Sequence, residues 1–498
     1  TTVTISKVLI HNAEGRDGGA AIGGGKNSSG ETKVNITGGK VNASTGYGNG
    51  GAGIGGGKES SGATNIEITG DALVSAGSSG SAAIGSGESS TGETTINIHD
   101  TNPEKGVKSA FAYGGAGIGS GRYAKGKTYV TISNASVSTL ETPAASTNTS
   151  GAGIGTGYGS QSNADITITE STVKAVGGTG AAIGSGSEGD VFSPPTGDPN
   201  TFKTIIRITD SNVTASSGPS AAIGSGSYST NATDIHINGG KIEASNYSGS
   251  AIGSGNRAKG NTDILIKGAT KVTAKGGSTA AGIGSGNGSN GSTIINIEGG
   301  TITAEGGGKE NGSCQASGAG IGSGGNALNK TTINIKGGEI TATGGGSLDS
   351  RNHSDKWLSG AGIGSGSNVS GETEINISGD STIKSASGGK YGGAGIGSGS
   401  YSGSTPDNKK GAVTINITDG TIEKAEGKDG GAGIGSGYYG RSSTVNISGN
   451  AELKDVKGGN LAAGIGSGYD SGKVDVVIDG GTIIATGGDS AAGIGSGH

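Results

Sequence analysis

The stretch "GGAGIGSG" at residues 114–121 contains one side chain larger than that of serine, Ile118. Nearly identical stretches begin at Gly50, Gly392 and Gly430. The central isoleucine recurs as Ile22, Ile54, Ile84, Ile118, Ile154, Ile183, Ile223, Ile252, Ile283, Ile321, Ile363, Ile396, Ile434, Ile465 and Ile494. The mean spacing of these copies is about 34 residues. A repeat of this length is typical of a solenoid.

Each repeat contains three β-like pieces in a constant order. The first piece reads Thr-x-Ile-x-Ile, as in "TTINIKGG" with Ile333 and Ile335, and its alternation places aliphatic side chains on one face. A Gly-Gly, Gly-Asp or Asp-Gly turn follows. The second piece is exemplified by "TITA" with Ile302 and Ala304, and the third is the glycine motif. No helical periodicity accompanies these pieces.

This order predicts an all-β fold, a single-stranded parallel β-helix with three short strands per coil and about 15 coils. Isoleucines of successive coils would stack inside the tube at the strand spacing of about 4.8 Å, over a length on the order of 70 Å. The strand-crossover preference favours a right-handed coil. We expect one continuous repeat array over residues 1–498.

Composition excludes several alternatives. The 498 residues include 113 glycines, no methionine, one tryptophan and three phenylalanines, so a compact aromatic core is not available. The net charge of −5, with acids and bases interspersed, argues against a nucleic-acid partner. The sequence contains no run of eighteen apolar residues, so it predicts no membrane-spanning helix. A single cysteine, Cys314, rules out an internal disulfide framework.

The ends of the chain consist of ordinary repeat sequence, with no methionine at the start. We expect the array to continue beyond at least one end. Because unpaired strands invite association, we also expect the ends to be covered by further repeats of the same chain, by another domain or by another copy of the protein.

The glycines of the motif admit two interpretations. They can serve a sharp bend that needs positive φ, or they can leave a flat face without side chains that another backbone, a neighbouring rod or a sugar ring approaches closely. On the second interpretation Gly119, Gly397 and Gly435 point outward and form an assembly face.

Insertions interrupt the regular repeat. We predict surface loops near residues 100–113, 140–150, 187–203, 306–317, 345–359 and 400–411. Trp357 lies in one of them, together with Arg351 and Asp355. This tryptophan either anchors its own loop or offers a stacking surface to a sugar or a protein partner.

Half of the tyrosines follow directly after a motif end and would line one corner of the helix. They are Tyr123, Tyr158, Tyr228, Tyr401, Tyr438 and Tyr469. Such rings suit sugar stacking, although covering a strand end is an alternative role.

Catalytic and metal chemistry find little support in the sequence. The five histidines occupy unrelated parts of the repeat, and no metal-ligand spacing occurs. Acids such as Asp71, Asp380 and Asp419 recur in the turns, where they act as turn formers or as a weak Ca²⁺ ladder. We therefore expect no catalytic residues, no metal site and no cofactor.

The repeated "GGAGIGSG" and "TINIxGGxIxA" patterns resemble the glycine-rich parallel β-helix repeats of large bacterial and protist surface proteins. These include adhesin and autotransporter passengers and carbohydrate-binding β-helix modules. The resemblance covers essentially the whole chain and implies an extracellular or cell-surface protein that binds or builds something. The leading hypothesis is a non-enzymatic structural rod of an adhesin or filament. A polysaccharide-binding module is the alternative, and a polysaccharide lyase-like enzyme is the third.

Overall fold

The structure, a computed structural model, describes residues 1–46, 48–139, 151–188, 197–308, 316–349, 356–401 and 411–498. Within these ranges all regular secondary structure is β-strand. The chain divides into two compact units, the first comprising Thr1–His236 with Gly240–Glu243 and the second Ile237–Gly239 with Ala244–His498. Each unit is a parallel β-solenoid, and the chain has about 14 turns in all. The predicted parallel β-helix fold is confirmed, while its continuity over 1–498 and its hand stay predictions.

The strands of the first unit repeat the order of the sequence pieces. They are β1 Thr2–Ile5, β2 Leu9–Gly15, β3 Ile22–Gly23, β4 Thr32–Thr45, β5 Ile54–Gly55, β6 Thr64–Ser78, β7 Ile84–Gly85, β8 Thr94–Thr101, β9 Gly106–Ala112, β10 Ile118–Gly119, β11 Thr128–Ser133, β12 Ser136–Thr139, β13 Ile154–Gly155, β14 Ala164–Thr169, β15 Thr172–Val176, β16 Ile183–Gly184, β17 Lys203–Thr209, β18 Asn212–Ser217 and β19 Ile223–Gly224. Strands β20 (Ala232–Asn238) and β21 (Lys241–Asn246) contain residues of both units.

The second unit follows the same order with one addition, the pair β29 and β30. Its strands are β22 Ile252–Gly253, β23 Thr262–Lys267, β24 Lys271–Lys275, β25 Ile283–Gly284, β26 Thr293–Glu305, β27 Ile321–Gly322, β28 Thr331–Thr343, β29 Gly346–Asp349, β30 Lys356–Ser359, β31 Ile363–Gly364, β32 Thr373–Ile377, β33 Thr382–Ser387, β34 Ile396–Gly397, β35 Val413–Ile417, β36 Thr421–Ile422, β37 Ala425–Glu426, β38 Ile434–Gly435, β39 Ser443–Lys457, β40 Ile465–Gly466, β41 Val474–Thr486 and β42 Ile494–Gly495.

The core is a set of isoleucine ladders inside each unit. Ile118 of β10 pairs in parallel register with Ile84 of β7 and with Ile154 of β13, and all three side chains are fully buried. The Thr-x-Ile-x-Ile strands stack likewise, since Ile333 of β28 pairs with Ile375 of β32. Identical β-branched side chains in register fill a narrow tube without aromatic residues, which explains the unusual composition.

The three strands per coil are not separate in every turn. In β4 the glycine turn itself stays paired, because Gly38 and Gly39 are in register with Asp71 and Ala72 of β6. The first and second pieces therefore merge into one long, bent strand in β4, β6, β26, β28, β39 and β41. Elsewhere they stay apart, as in β11 and β12.

Two of the predicted loops contain strands. In the segment 100–113, strand β9 pairs with both β6 and β12, so this insertion continues the ladder after a short turn. In the segment 345–359, β29 and β30 form an antiparallel hairpin. The predicted loop at 140–150 lies outside the described residues, as do the central parts of the other three, 189–196, 309–315 and 402–410.

Candidate functional site

The glycine after the motif isoleucine faces the next turn of the solenoid at Gly119, Gly397 and Gly435. Gly119 is buried and has φ of 142°, and a Cβ on it would overlap the carbonyl oxygen of Gly155. Gly397 and Gly435 are equally buried, with φ of 141° and 135°, and the next turn's carbonyl oxygen lies just as close to each. The prediction that these three glycines point outward is therefore wrong. At this positive φ a side chain would point into the backbone of the next turn.

The glycine before the isoleucine is under a similar constraint. A Cβ on Gly117 would lie 2.6 Å from the carbonyl oxygen of Gly153 and 2.9 Å from that of Ala110. Gly433 meets the carbonyl oxygen of Gly464 at 2.7 Å in the same way. A bend alone does not account for these glycines, since the motif also brings successive backbones into close approach.

The serine of the motif has a hydrogen-bonding role between turns. Ser120 is fully buried, and its Oγ accepts a hydrogen bond of 3.1 Å from the backbone N–H of Gly157. Thr156 does the same for Gly186 at 3.0 Å. Further bonds of this kind, from 2.7 to 3.1 Å, join Gly121 to Ser86, Gly226 to Ser185, Gly286 to Ser254, Gly324 to Ser285, Gly366 to Ser323, Gly399 to Ser365, Gly437 to Ser398 and Gly497 to Ser467. We call this set the serine ladder.

A second ladder runs along the outer face of the second unit. Asn376 Nδ2 donates to Asn334 Oδ1 at 2.9 Å, and Asn416 Nδ2 donates to Asn376 Oδ1 at 2.8 Å. Asn334 donates to Asn296 and Asn446 donates to Asn416, each at 2.9 Å. These five side chains, the amide ladder, occupy the position between the two buried aliphatic residues of the first strand. Parallel, in-register pairing aligns them, so the three interior amides, Asn334, Asn376 and Asn416, each act as both donor and acceptor.

The tyrosine corner lies four and five residues after the motif isoleucine. In the first unit the rings of Tyr123 and Tyr158 meet edge to face, with centroids 5.6 Å apart. The guanidinium of Arg122 lies over both rings, at 4.6 Å and 5.4 Å from their centroids, and donates to Tyr123 Oη at 2.9 Å. Tyr123 is 40% exposed and also packs against Gly159.

In the second unit the corner is a larger aromatic cluster. Tyr438 and Tyr469 stack face to face on consecutive turns, with centroids 5.3 Å apart and planes 8° apart. Tyr439 stands edge-on to both rings, and His498 lies 5.6 Å from Tyr469. The sequence prediction omitted Tyr439, although its position after Tyr438 in "GSGYYG" is the signal that would have identified it.

Burial governs the acid–base behaviour of Tyr438. Removal from water raises the pKa of Tyr438 to about 12, and the neighbouring Tyr439, Tyr469 and Asp470 act in the same direction. Desolvation disfavours the phenolate, so the ring stays neutral far above neutral pH.

The other predicted binding residues are Tyr401, Tyr228, Trp357, Arg351 and Asp355. The ring of Tyr401 lies under the guanidinium of Arg441, 4.3 Å from its carbon. Tyr228 occupies the corner of the first unit with a left-handed φ of 57°. Trp357 lies in β30, where its backbone is in register with Leu348. Arg351 and Asp355 lie outside the described residues.

Several outer charges form ion pairs. Lys384 contacts Glu423 at 2.9 Å and Glu339 at 3.7 Å, and Asp71 contacts Lys105 at 3.5 Å. Over the part of the chain that the structure describes, no group of three or more His, Cys, Asp or Glu side chains is placed to hold a metal ion. Nor do these residues form a helix that is long and apolar enough to cross a membrane.

Comparison with known proteins agrees with this architecture. A family model described as Beta helix repeat matches nine segments, which are 34–58, 166–187, 206–227, 235–256, 264–287, 295–325, 333–367, 415–438 and 476–498. No curated protein and no solved structure matches the chain. Most of the matched segments run from an isoleucine of the first strand to the end of the glycine motif, so each contains the three strand pieces of one turn. The chain is thus similar to the Beta helix repeat family in segments spread over its length, and it has the fold of a parallel β-helix repeat protein.

Proposed function

We propose that the chain is a non-enzymatic structural protein, a β-helix that forms part of an extracellular or cell-surface adhesin or of a self-assembling filament. One observation carries the proposal: the isoleucine, glycine and serine of the repeated motif all make their contacts with the next turn of the solenoid. Ile118 packs in a core ladder, Gly119 admits the Gly155 carbonyl, and Ser120 binds the N–H of Gly157. A motif built for turn-to-turn contact is what a structural solenoid needs.

The outer face of the second unit supports the same proposal. The amide ladder uses the outward side chains of five consecutive first-strand positions to bind one another. Lys384 is shared between two glutamates of neighbouring turns, and Lys275 meets Glu305 at 3.3 Å. Ladders of this kind strengthen the pairing of turns. Their amides and carboxylates are bound to one another, whereas a polysaccharide site would use such groups for recognition or acid–base catalysis.

The tyrosine corner bears on the carbohydrate-binding alternative. A sugar stacks on the open face of an aromatic ring. Tyr438 and Tyr469 use one face each for their mutual stack, and Arg122 covers Tyr123 and Tyr158. These contacts favour a role in which the tyrosine rings cover the ends of strands, and they disfavour a role in which the rings stack on a sugar. We retain polysaccharide binding as the second candidate, because Tyr123 is still 40% exposed, and a lyase-like activity as the third.

Three measurements on the purified chain separate the candidates. Electron microscopy and sedimentation would show ordered self-association, a glycan array would report carbohydrate binding, and a depolymerisation assay on acidic and neutral polysaccharides would report lyase or hydrolase activity. We expect ordered assembly without depolymerisation. Binding of one glycan class that Tyr123→Ala abolishes would establish the second candidate instead, and release of unsaturated oligosaccharides would establish the third.

A further inference from the structure

Tyr438 and Tyr469 form a stack that the backbone holds in place. Each follows its motif isoleucine by four residues, and the chain between them makes one full turn. The N–H of Tyr438 donates to the Gly392 carbonyl and that of Tyr469 to the Gly430 carbonyl, both at 2.8 Å. Both ring positions are thereby tied to the ladder of turns.

Glycines beneath the rings complete this arrangement. A Cβ on Gly430 would lie 2.8 Å from Tyr469 Cβ and still closer to the Tyr438 ring, and a Cβ on Gly392 would overlap Tyr438 Cβ. Both rings therefore rest directly on backbone. They are nevertheless only partly buried, so both side chains keep some contact with solvent.

From this geometry we infer that Tyr438 and Tyr469 are a site of oxidative cross-linking, at which a peroxidase acting with hydrogen peroxide forms a dityrosine bond within one chain. Nearly parallel rings with centroids 5.3 Å apart need only side-chain rotation to bring one ortho carbon of each into contact. The inference rests on this geometry and does not depend on the proposed function.

The chemistry balances without another reactant. The oxidant removes one electron and one proton from each phenol, and the two phenoxyl radicals couple through their ortho carbons. The hydrogen on each coupled carbon then passes through solvent to the phenol oxygen, which restores both aromatic rings. Two tyrosine side chains and one hydrogen peroxide give one dityrosine and two waters. The new carbon–carbon bond joins turns that are otherwise held by hydrogen bonds and packing.

The test treats the full chain with peroxidase and peroxide, isolates the monomer and digests it with trypsin. Cleavage after lysine and arginine places Tyr438 in peptide 429–441 and Tyr469 in peptide 458–473. We expect these two peptides as a covalent pair, two hydrogen atoms lighter than their sum, with blue dityrosine fluorescence. Tyr438→Phe and Tyr469→Phe, which keep the rings, should each abolish the pair.

Two further variants serve as matched controls. Tyr439→Phe removes the neighbouring phenol in the same peptide, and Tyr129→Phe removes a phenol whose register partners are Thr95 and Asp165. Both should leave the yield of the cross-linked pair unchanged. Persistence of the pair in Tyr438→Phe, its loss in Tyr439→Phe, its absence from the oxidised wild-type monomer, or coupling only between chains would each overturn the assignment.

Discussion

Ser285 Oγ accepts a hydrogen bond of 3.0 Å from the backbone N–H of Gly324, one turn further along the helix. Ser285 is 1% exposed, so water has no access to take its place. The bond belongs to the serine ladder, which comprises ten such bonds among the described residues. The serine hydroxyl of the motif thus accepts a hydrogen bond from a buried backbone N–H that has no partner in the strand pairing.

Ser285→Ala should destabilise the surrounding turns by about 1–3 kcal/mol, because the N–H of Gly324 is then buried without an acceptor. Native-state hydrogen exchange of β25 and β27 measures this change. Ser285→Thr is the matched control, since Thr156 performs the same task at its own turn. Equal protection in Ser285→Ala and the wild type would show that the ladder contributes nothing to stability.

Gly119→Ala should prevent the local turns from forming, with a loss of about 3–5 kcal/mol or more. The added Cβ meets the Gly155 carbonyl, and alanine is strained at φ of 142°. Circular dichroism and urea unfolding report the loss.

Gly77→Ala is the control for this variant in the same unit. A Cβ on Gly77 would lie 3.7 Å from its nearest neighbour, and its register partners are Ser44 and Phe111, which carry side chains at the same position. This substitution should cost less than about 1 kcal/mol, as surface changes usually do. A Gly119→Ala protein as stable as Gly77→Ala would contradict the close approach of the backbones.

Asn376→Ala should reduce stability by about 1–2 kcal/mol, because it removes two bonds of the amide ladder. Hydrogen exchange of β32 and β35 is the appropriate measurement, since a repeat protein opens locally. Asn97→Ala is the comparison: Asn97 occupies the same outward row in the first unit, but its register partners are Glu67 and Thr131. Equal losses at both positions would mean that the ladder adds nothing beyond a single amide.

The phenol of Tyr438 should ionise in a separate step at high pH. Its pKa in the folded protein is about 12, above the ordinary tyrosine value of 10.0, chiefly because it is buried. The stability that this shift contributes is fully present below pH 10 and is lost as the pH rises through about 12. A phenolate absorbance titration of the folded chain should show a late step that Tyr438→Phe removes. A wild-type titration completed around pH 10 would refute the shift.

The repeat spacing was sufficient to predict the fold. Isoleucines at the centre of every glycine motif, together with Thr-x-Ile-x-Ile pieces, allow only a stack of parallel turns, and Ile84, Ile118 and Ile154 pair as this pattern requires. Strand β9 was missed because the insertion at 100–113 contains charged residues and a proline, which resemble a loop. Only tertiary pairing with β6 and β12 makes it a strand.

Predicting the site was harder, for reasons of geometry. The sequence indicates that Gly119 is needed, but it does not indicate which way the missing side chain would point. That direction depends on a φ set by pairing with the next turn. Likewise, the amide ladder requires Asn334 and Asn376 in the same register, and repeat units of unequal length obscure this alignment along the chain. The sequence places these tyrosines at one point of the repeat, whereas the stack of Tyr438 on Tyr469 depends on side-chain rotamers.

Unequal turns have a practical consequence for engineering. The turn from Ile154 to Ile183 is much shorter than the turn from Ile321 to Ile363, yet isoleucine meets isoleucine and glycine meets glycine in both. Additional residues are accommodated at the corners and do not shift the pairing of the strands. The pairing of the strands is therefore independent of the length of the connections at the corners. Between β28 and β31 the chain already carries the hairpin of β29 and β30. A foreign peptide inserted there is expected to be displayed without changes to the neighbouring strands.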